Sequence, residues 1–156
     1  MKHPEDDICK AFVQELDYRI KREPKLKGLF YYHIPNGGSR HIAEAVKFKA
    51  IGVRPGVCDY FVMRASGCYH GLYIEFKASK DKKPSKAQIA FMDIAEYEKY
   101  KTIVVFSVEA AISEIYRYLE LNKSEKHKLN PRPCTLTNEE QRDRLRRRTP
   151  WIYNEK

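Results

Sequence analysis

The chain has 156 residues, enough for one domain with a buried core and a tail. Thirty Lys and Arg stand against 21 Asp and Glu, a net charge of +9 that points to a polyanionic partner, nucleic acid or an anionic membrane surface. No apolar run approaches the roughly 20 residues of a membrane span, and residues 1–7 hold no apolar signal core, so the expectation is a soluble, cytoplasmic protein with no membrane partner. Cys9, Cys58, Cys68 and Cys134 form neither a Cys-x-x-Cys pair nor a zinc spacing and are expected as free thiols, Cys9 packed as a small hydrophobe.

Residues 5–21 read as a helix, with Ile8, Phe12, Leu16 and Ile20 recurring every four residues. Pro4 and the acids Glu5, Asp6 and Asp7 suit its start. Glu5 is read either as compensation for the helix dipole or as a further metal-site acid. Residues 22–28 form a charged connector, and residues 29–34 a short apolar and aromatic strand. Pro35-Asn36-Gly37-Gly38-Ser39-Arg40 is a turn signal before a second helix, which runs to about Ala50 with Ile42, Ala45, Val46 and Ala50 as its buried stripe and Gly52 as its stop. That loop is either an ordinary turn or a phosphate cradle built from backbone N–H groups with Arg40 adding charge. The flanking His33 and His41 are left out of the chemistry.

A hairpin follows. Asp59 opens one strand-like run, Ser66-Gly67 turns the chain, and a second run ends in Ile74-Glu75-Phe76-Lys77. Strand alternation puts Tyr73, Glu75 and Lys77 on one face and Leu72, Ile74, Phe76 and Ala78 on the other, which reads as core. Two carboxylates and an ammonium would then converge. Neighbouring carboxylates repel unless a cation lies between them, and hard divalent cations favour oxygen ligands. The pattern therefore suggests Mg²⁺ or Mn²⁺ and a phosphodiester substrate, with the lysine orienting or deprotonating a water, or balancing phosphate charge. Glu-x-Lys alone is also a common solvated strand face.

Lys80, Lys82 and Lys83 form a basic loop before a helix that starts at Ser85. Ser85-x-x-Gln88 matches a capping box, yet Gln88, Phe91, Met92 and Ala95 also share one helical stripe, so the Gln88 amide either caps or points inward towards Lys77. Residues 102–106 read as a buried strand, and residues 107–121 as a last helix with Ile112, Ile115, Tyr116 and Leu119 inward. Together the elements predict a mixed α/β domain of three layers. From residue 122 the chain turns polar, with Pro131, Pro133, Pro150 and ten Lys and Arg against five acids. This basic tail, 122–156, is either solvated or a non-specific phosphate clamp through Arg146, Arg147 and Arg148.

Four stretches resemble the VRR-NUC branch of the PD-(D/E)XK nucleases. They are Ile34-Pro35-Asn36-Gly37-Gly38-Ser39-Arg40, then residues 52–59 ending in Pro55-Gly56-Val57-Cys58-Asp59, then Ile74-Glu75-Phe76-Lys77-Ala78, then Ser85-Lys86-Ala87-Gln88. Tyr118-Leu119 also fits the end of the pattern, and the likeness spans about residues 5–121. It implies a restriction-endonuclease-like core in which Asp59, Glu75 and the Phe76 carbonyl bind the divalent metal. Lys77 would position the attacking water and Gln88 would support both, with Glu5 on the first helix as a further acid. Asn36, Gly37, Gly38, Arg40 and the three lysines would contact DNA. Two positions depart from the pattern: Cys58 stands where a proline is usual before the aspartate, and Cys9 where a glutamine is frequent. The implied activity is cleavage of branched DNA, four-way junctions foremost, to a 5′-phosphate and a 3′-hydroxyl by a homodimer, in a bacterial or phage setting. A flap or non-specific nuclease, an enzyme acting on RNA, and a non-catalytic DNA-binding module are the alternatives.

Overall fold

The computed structural model describes residues 4–35, 47–48 and 50–121. The glycine loop with Asn36, Gly37, Gly38 and Arg40, then His41, Ile42, Ala45 and Val46, and the tail with Cys134, Arg146, Arg147 and Arg148 lie outside these residues. Helix α1 spans Pro4–Arg22, with Glu5, Asp6 and Asp7 in its first turn and Arg19, Lys21 and Arg22 in its last. Both ends thus complement the helix dipole. Glu23 is extended ahead of Pro24, as the residue before a proline prefers, and α1 gives way to a 3-10 turn over Pro24–Leu26. The expected charged connector is therefore a packed corner, because Leu26 is fully buried.

Strands β1 (Tyr31–His33), β2 (Tyr60–Val62) and β3 (Leu72–Phe76) pair antiparallel in that order. Helix α2 (Lys86–Tyr97) then crosses over, and β4 (Lys101–Val105) pairs parallel to β3. A parallel pair needs such a crossover, which is what the interval between the two strands supplies. Helix α3 (Val108–Leu119) is the last described element, its N-cap Ser107 accepting a hydrogen bond from the Ala110 N–H. Among the described residues no helix is long and apolar enough to cross a membrane.

The core lies between the sheet and the α1–α3 pair. Phe12 and Leu16 of α1 meet Tyr60, Leu72, Ile74 and Phe76 from the sheet and Ile112 and Ile115 from α3. The Phe12 ring centroid lies 5.1 Å from both Tyr60 and Phe76, and those two are 5.8 Å apart. Burying one such ring fully is worth about 1.5–3 kcal/mol. Leu72, Ile74 and Phe76 face this core as strand alternation requires, but Ala78 lies past the strand and is half-buried.

Three further expectations change. Ala50 is exposed, not buried: the helix end holding Lys47 and Phe48 stops at Gly52 (φ +93), where the Val53 N–H donates to the Phe48 carbonyl. Strand β4 is an edge of the four-stranded sheet, so only its Thr102 and Val105 are buried, and Phe106 falls beyond it. In α3 the inward residues are Ala111, Ile112, Ile115 and Tyr118, while Tyr116 and Leu119 are half-buried. The Tyr118 hydroxyl reaches in to donate to the Arg64 carbonyl at 2.5 Å, which gives its buried oxygen a partner.

Candidate active site

The candidate site lies at the end of β3. Tyr60 pairs with Ile74, so the next step of the same register sets Asp59 across from Glu75. Asp59 is fixed twice: its carbonyl accepts the Ile34 N–H at 2.7 Å, and its Oδ2 accepts the Phe76 N–H at 2.8 Å. Lys77 extends the parallel ladder by donating its N–H to the Val105 carbonyl at 2.9 Å. Glu75 is 1% exposed and Lys77 9%, so the pair is no solvated strand face.

Inside that pocket one oxygen takes two donors. Glu75 Oε1 accepts from Lys77 Nζ at 2.5 Å and from Gln88 Nε2. Glu75 Oε2 is buried and has no hydrogen-bond partner. Leaving a carboxylate oxygen buried and unpartnered is unfavourable by about 1–3 kcal/mol or more. Burial, with Asp59 second, pushes the Glu75 carboxyl up to about 7. Burial also raises Asp59, against the opposing pull of the Phe76 N–H and Lys77. Burial works to lower the Lys77 ammonium, but Glu75, Glu5 and Asp59 outweigh it and hold it above its ordinary value. At neutral pH the site is thus an ammonium beside a carboxyl near its titration point, and Lys77 is suited to orienting a water or meeting phosphate charge rather than to taking a proton.

Gln88 caps its helix and also points inward, though not to Lys77. Its Oε1 accepts the Ser85 N–H at 2.8 Å and its N–H donates to Ser85 Oγ at 3.2 Å, closing the capping box. Its Nε2 is left free to turn towards the sheet, where it meets Glu75 rather than Lys77. Glu5 also reaches the site: its Oε1 accepts the Ala78 N–H at 3.1 Å across 73 residues of sequence. Its carboxylate therefore does more than balance the helix dipole. Among the described residues no group of three His, Cys, Asp or Glu side chains stands ready around one metal position. The oxygen set on offer is Asp59, Glu75 and the Phe76 carbonyl. Lys80, Lys82 and Lys83 are exposed on the loop between β3 and α2.

Two features escape a reading of the sequence. Gly56 has φ +86, and a Cβ there would lie 2.3 Å from the Ala87 carbonyl carbon and 2.7 Å from the Gln88 nitrogen. The loop leading to Asp59 is pressed against the start of α2, so one backbone contact ties the aspartate to the glutamine. Pro55-Gly56 signals a turn, but nothing local announces what the turn touches. Cys58, in the position before Asp59, is fully buried; burial first, and then Glu75 and Asp59, raise its thiol above the ordinary range, as suits a packed side chain. Cys9 is half-buried against the core, with its thiol pushed up to about 11 by burial and then by Asp59.

The sequence matches no protein-family model and no curated protein. Among solved structures it is similar to a VRR_NUC domain protein, with a TM-score of 0.63 and 27% identity over 78% of this chain and 93% of that one. The mixed four-stranded sheet flanked by helices is accordingly a nuclease-like α/β core. That match supports a VRR-NUC domain in this chain.

Proposed function

We propose that the protein is a divalent-metal-dependent endonuclease that hydrolyses phosphodiester bonds in branched DNA, four-way junctions foremost, leaving a 5′-phosphate and a 3′-hydroxyl. The observation that carries this reading is Glu75 Oε2, a buried carboxylate oxygen without a partner, set across the strand pair from Asp59 and beside Lys77. An acceptor with no donor in reach, in a pocket with a second carboxylate, fits a hard cation such as Mg²⁺ or Mn²⁺. Asp59, Glu75 and the Phe76 carbonyl would hold it. Such an ion, when bound, supplies Lewis acidity to the phosphate and lowers the pKa of a water. The chain's own groups do the rest. Lys77, kept charged by Glu75, directs its ammonium at the water or at a phosphate oxygen. Gln88 holds the Glu75 carboxylate from the side opposite the sheet. Glu5 braces the Ala78 amide and so the strand end on which Lys77 sits.

The net charge of +9 supports a nucleic-acid substrate, with Lys80, Lys82 and Lys83 next to the site as phosphate contacts. We assign the same role to Asn36, Gly37, Gly38, Arg40 and the arginines of the tail. Truncation after Leu121 is expected to leave a folded domain that binds DNA less tightly and with a shallower salt dependence, measured by anisotropy titrations at several salt concentrations. One domain offers one such site, and resolving a junction needs two cuts related by a two-fold axis, so we assign a homodimer.

The test is cleavage of labelled single strand, duplex, flap, fork and four-way junction with Mg²⁺, Mn²⁺ or chelator, beside light scattering on a sizing column. The expected result is paired nicks in the junction by a dimer, abolished by EDTA. Cutting that survives EDTA would sink the metal site, and a monomer that prefers flaps would replace the junction reading.

A further inference from the structure

Among the described residues, the sheet face that bears Glu75 and Lys77 is covered unevenly. Helix α2 lies over its β3–β4 half, with the Phe91 ring edge-on to Tyr73 at 4.9 Å. On the β1–β2 half, register sets Tyr32 opposite Phe61 and Phe61 opposite Tyr73. One step further out, the Met63 N–H donates to the Phe30 carbonyl, which puts those two side chains on the same face. Phe30 is 61% exposed, Met63 62% and Tyr32 45%.

These rings form a row that leads to the site. Ring centroids are 6.3 Å apart from Phe30 to Tyr32, 5.7 Å from Tyr32 to Phe61 and 4.6 Å from Phe61 to Tyr73. Tyr73 is two residues from Glu75 on the same strand face. The row is held from beneath: Phe61 occupies the space that a Cβ at Gly71 would need, 2.4 Å from its ring, and Tyr100 backs it at 5.9 Å. The inner rings are therefore fixed while the outer ones stay open, about 10 Å from β3 across two strand spacings.

We propose that Phe30, Tyr32 and Met63 form a stacking floor for unpaired bases of the DNA strand whose phosphodiester enters the site at Glu75 and Lys77. This rests on the nuclease reading above and deepens it. Every base offers a π-face, so aromatic rings beside a positively charged site bind single strands with little sequence preference. A duplex keeps those faces stacked inside and shows its phosphates and groove edges instead. The floor would thus favour frayed or unpaired DNA at a branch over continuous duplex. A second copy of the chain suits the patch less well. Three partly exposed side chains offer on the order of a few hundred Å², against the roughly 800 Å² per partner of a standard interface.

The test is binding in EDTA, where cleavage does not intervene, using fluorescent oligo-dT, a blunt duplex, and a single strand carrying 2-aminopurine as a stacking reporter. Phe30→Ala with Tyr32→Ala is expected to weaken the single strand about tenfold, to abolish aminopurine quenching, and to leave duplex affinity within about twofold. Phe30→Tyr with Tyr32→Phe, which keep both rings, are expected to bind as the parent does. Equal weakening on duplex, or no loss on single strand, would overturn the stacking floor. So would a halving of the solution mass in the alanine variant, which would make the patch a subunit contact. Ring-dependent binding by a protein that cuts nothing in Mg²⁺ or Mn²⁺ would leave the floor standing and remove the nuclease reading; cutting with ring-independent binding would do the reverse.

Discussion

The two faces of β3 are both buried, yet they are built on opposite terms. On one, Leu72, Ile74 and Phe76 meet Phe12, Leu16 and Ile112, and every group is satisfied by packing. On the other, Glu75 is as deeply buried as Phe76, but two donors crowd one of its oxygens while the second has none. The first face lowers the free energy of the fold. The second raises it locally, and does so where Asp59 and Lys77 converge. Unsatisfied groups of this kind concentrate where a structure serves a ligand rather than its own stability.

Substitutions on the two faces should therefore have opposite signatures. Phe76→Ala is expected to have the largest effect, a loss of about 3–5 kcal/mol in stability, read from denaturant unfolding, with activity falling only as the folded fraction falls. Lys77→Ala is expected to reduce cleavage at least about a hundredfold while circular dichroism and compactness stay those of the parent. Near-normal cleavage by Lys77→Ala would remove it from the site.

The period-2 alternation that separates these faces is local, and so the sequence alone displays it: Tyr73, Glu75 and Lys77 against Leu72, Ile74 and Phe76. Helix positions and their caps are legible there for the same reason, down to Ser85 with Gln88 and to Ser107. What the sequence hides depends on contacts between distant segments. The bond from Glu5 to the Ala78 amide and the wedge of Gly56 against Ala87 join stretches that no periodicity links. The edge position of β4 is equally hidden, because an uninterrupted β-branched run looks the same in a central strand and in one covered on a single side. Tyr118 shares the helical stripe of Ile115, three residues before it, but the Arg64 carbonyl that meets its hydroxyl lies 54 residues away and only the fold brings it there.

Gln88, on the helix over the Glu75 face, is both a cap and a partner of the site, and it sharpens the contrast. Gln88→Ala is expected to destabilise by about 1 kcal/mol through the lost cap and to lower cleavage as well, through its lost bond to Glu75. Gln88→Glu keeps an acceptor for the Ser85 N–H but has no donor for Glu75, so stability should return in part while activity does not. Urea melts and single-turnover rates on both variants check this; equal recovery of the two would mean that Gln88 acts only as a cap.

The smallest effect is the dependence on pH. Glu75 titrates near 7 in the folded chain and near its ordinary 4.5 when unfolded. The folded state thus holds the proton more tightly, and its advantage is complete below about pH 4.5 and lost as pH rises through 7. Metal-free protein is expected to lose some stability across that window, and Glu75→Gln is expected to lose less, keeping only the share of Asp59, which burial also raises. A parent and a variant with the same slope would show that Glu75 is not the group responsible.

The most direct measurement is a pair of melting curves at pH 7.5, for the parent and for Glu75→Gln, each in EDTA and in Mn²⁺. In EDTA the variant is expected to melt above the parent, because an amide removes the buried charge. In Mn²⁺ at a hundredfold excess over its dissociation constant the parent should gain about 2.7 kcal/mol and overtake a variant that gains little. A variant that melts below the parent in EDTA, or that gains as much from Mn²⁺, would contradict the claim that this face of β3 is kept unsatisfied for a cation.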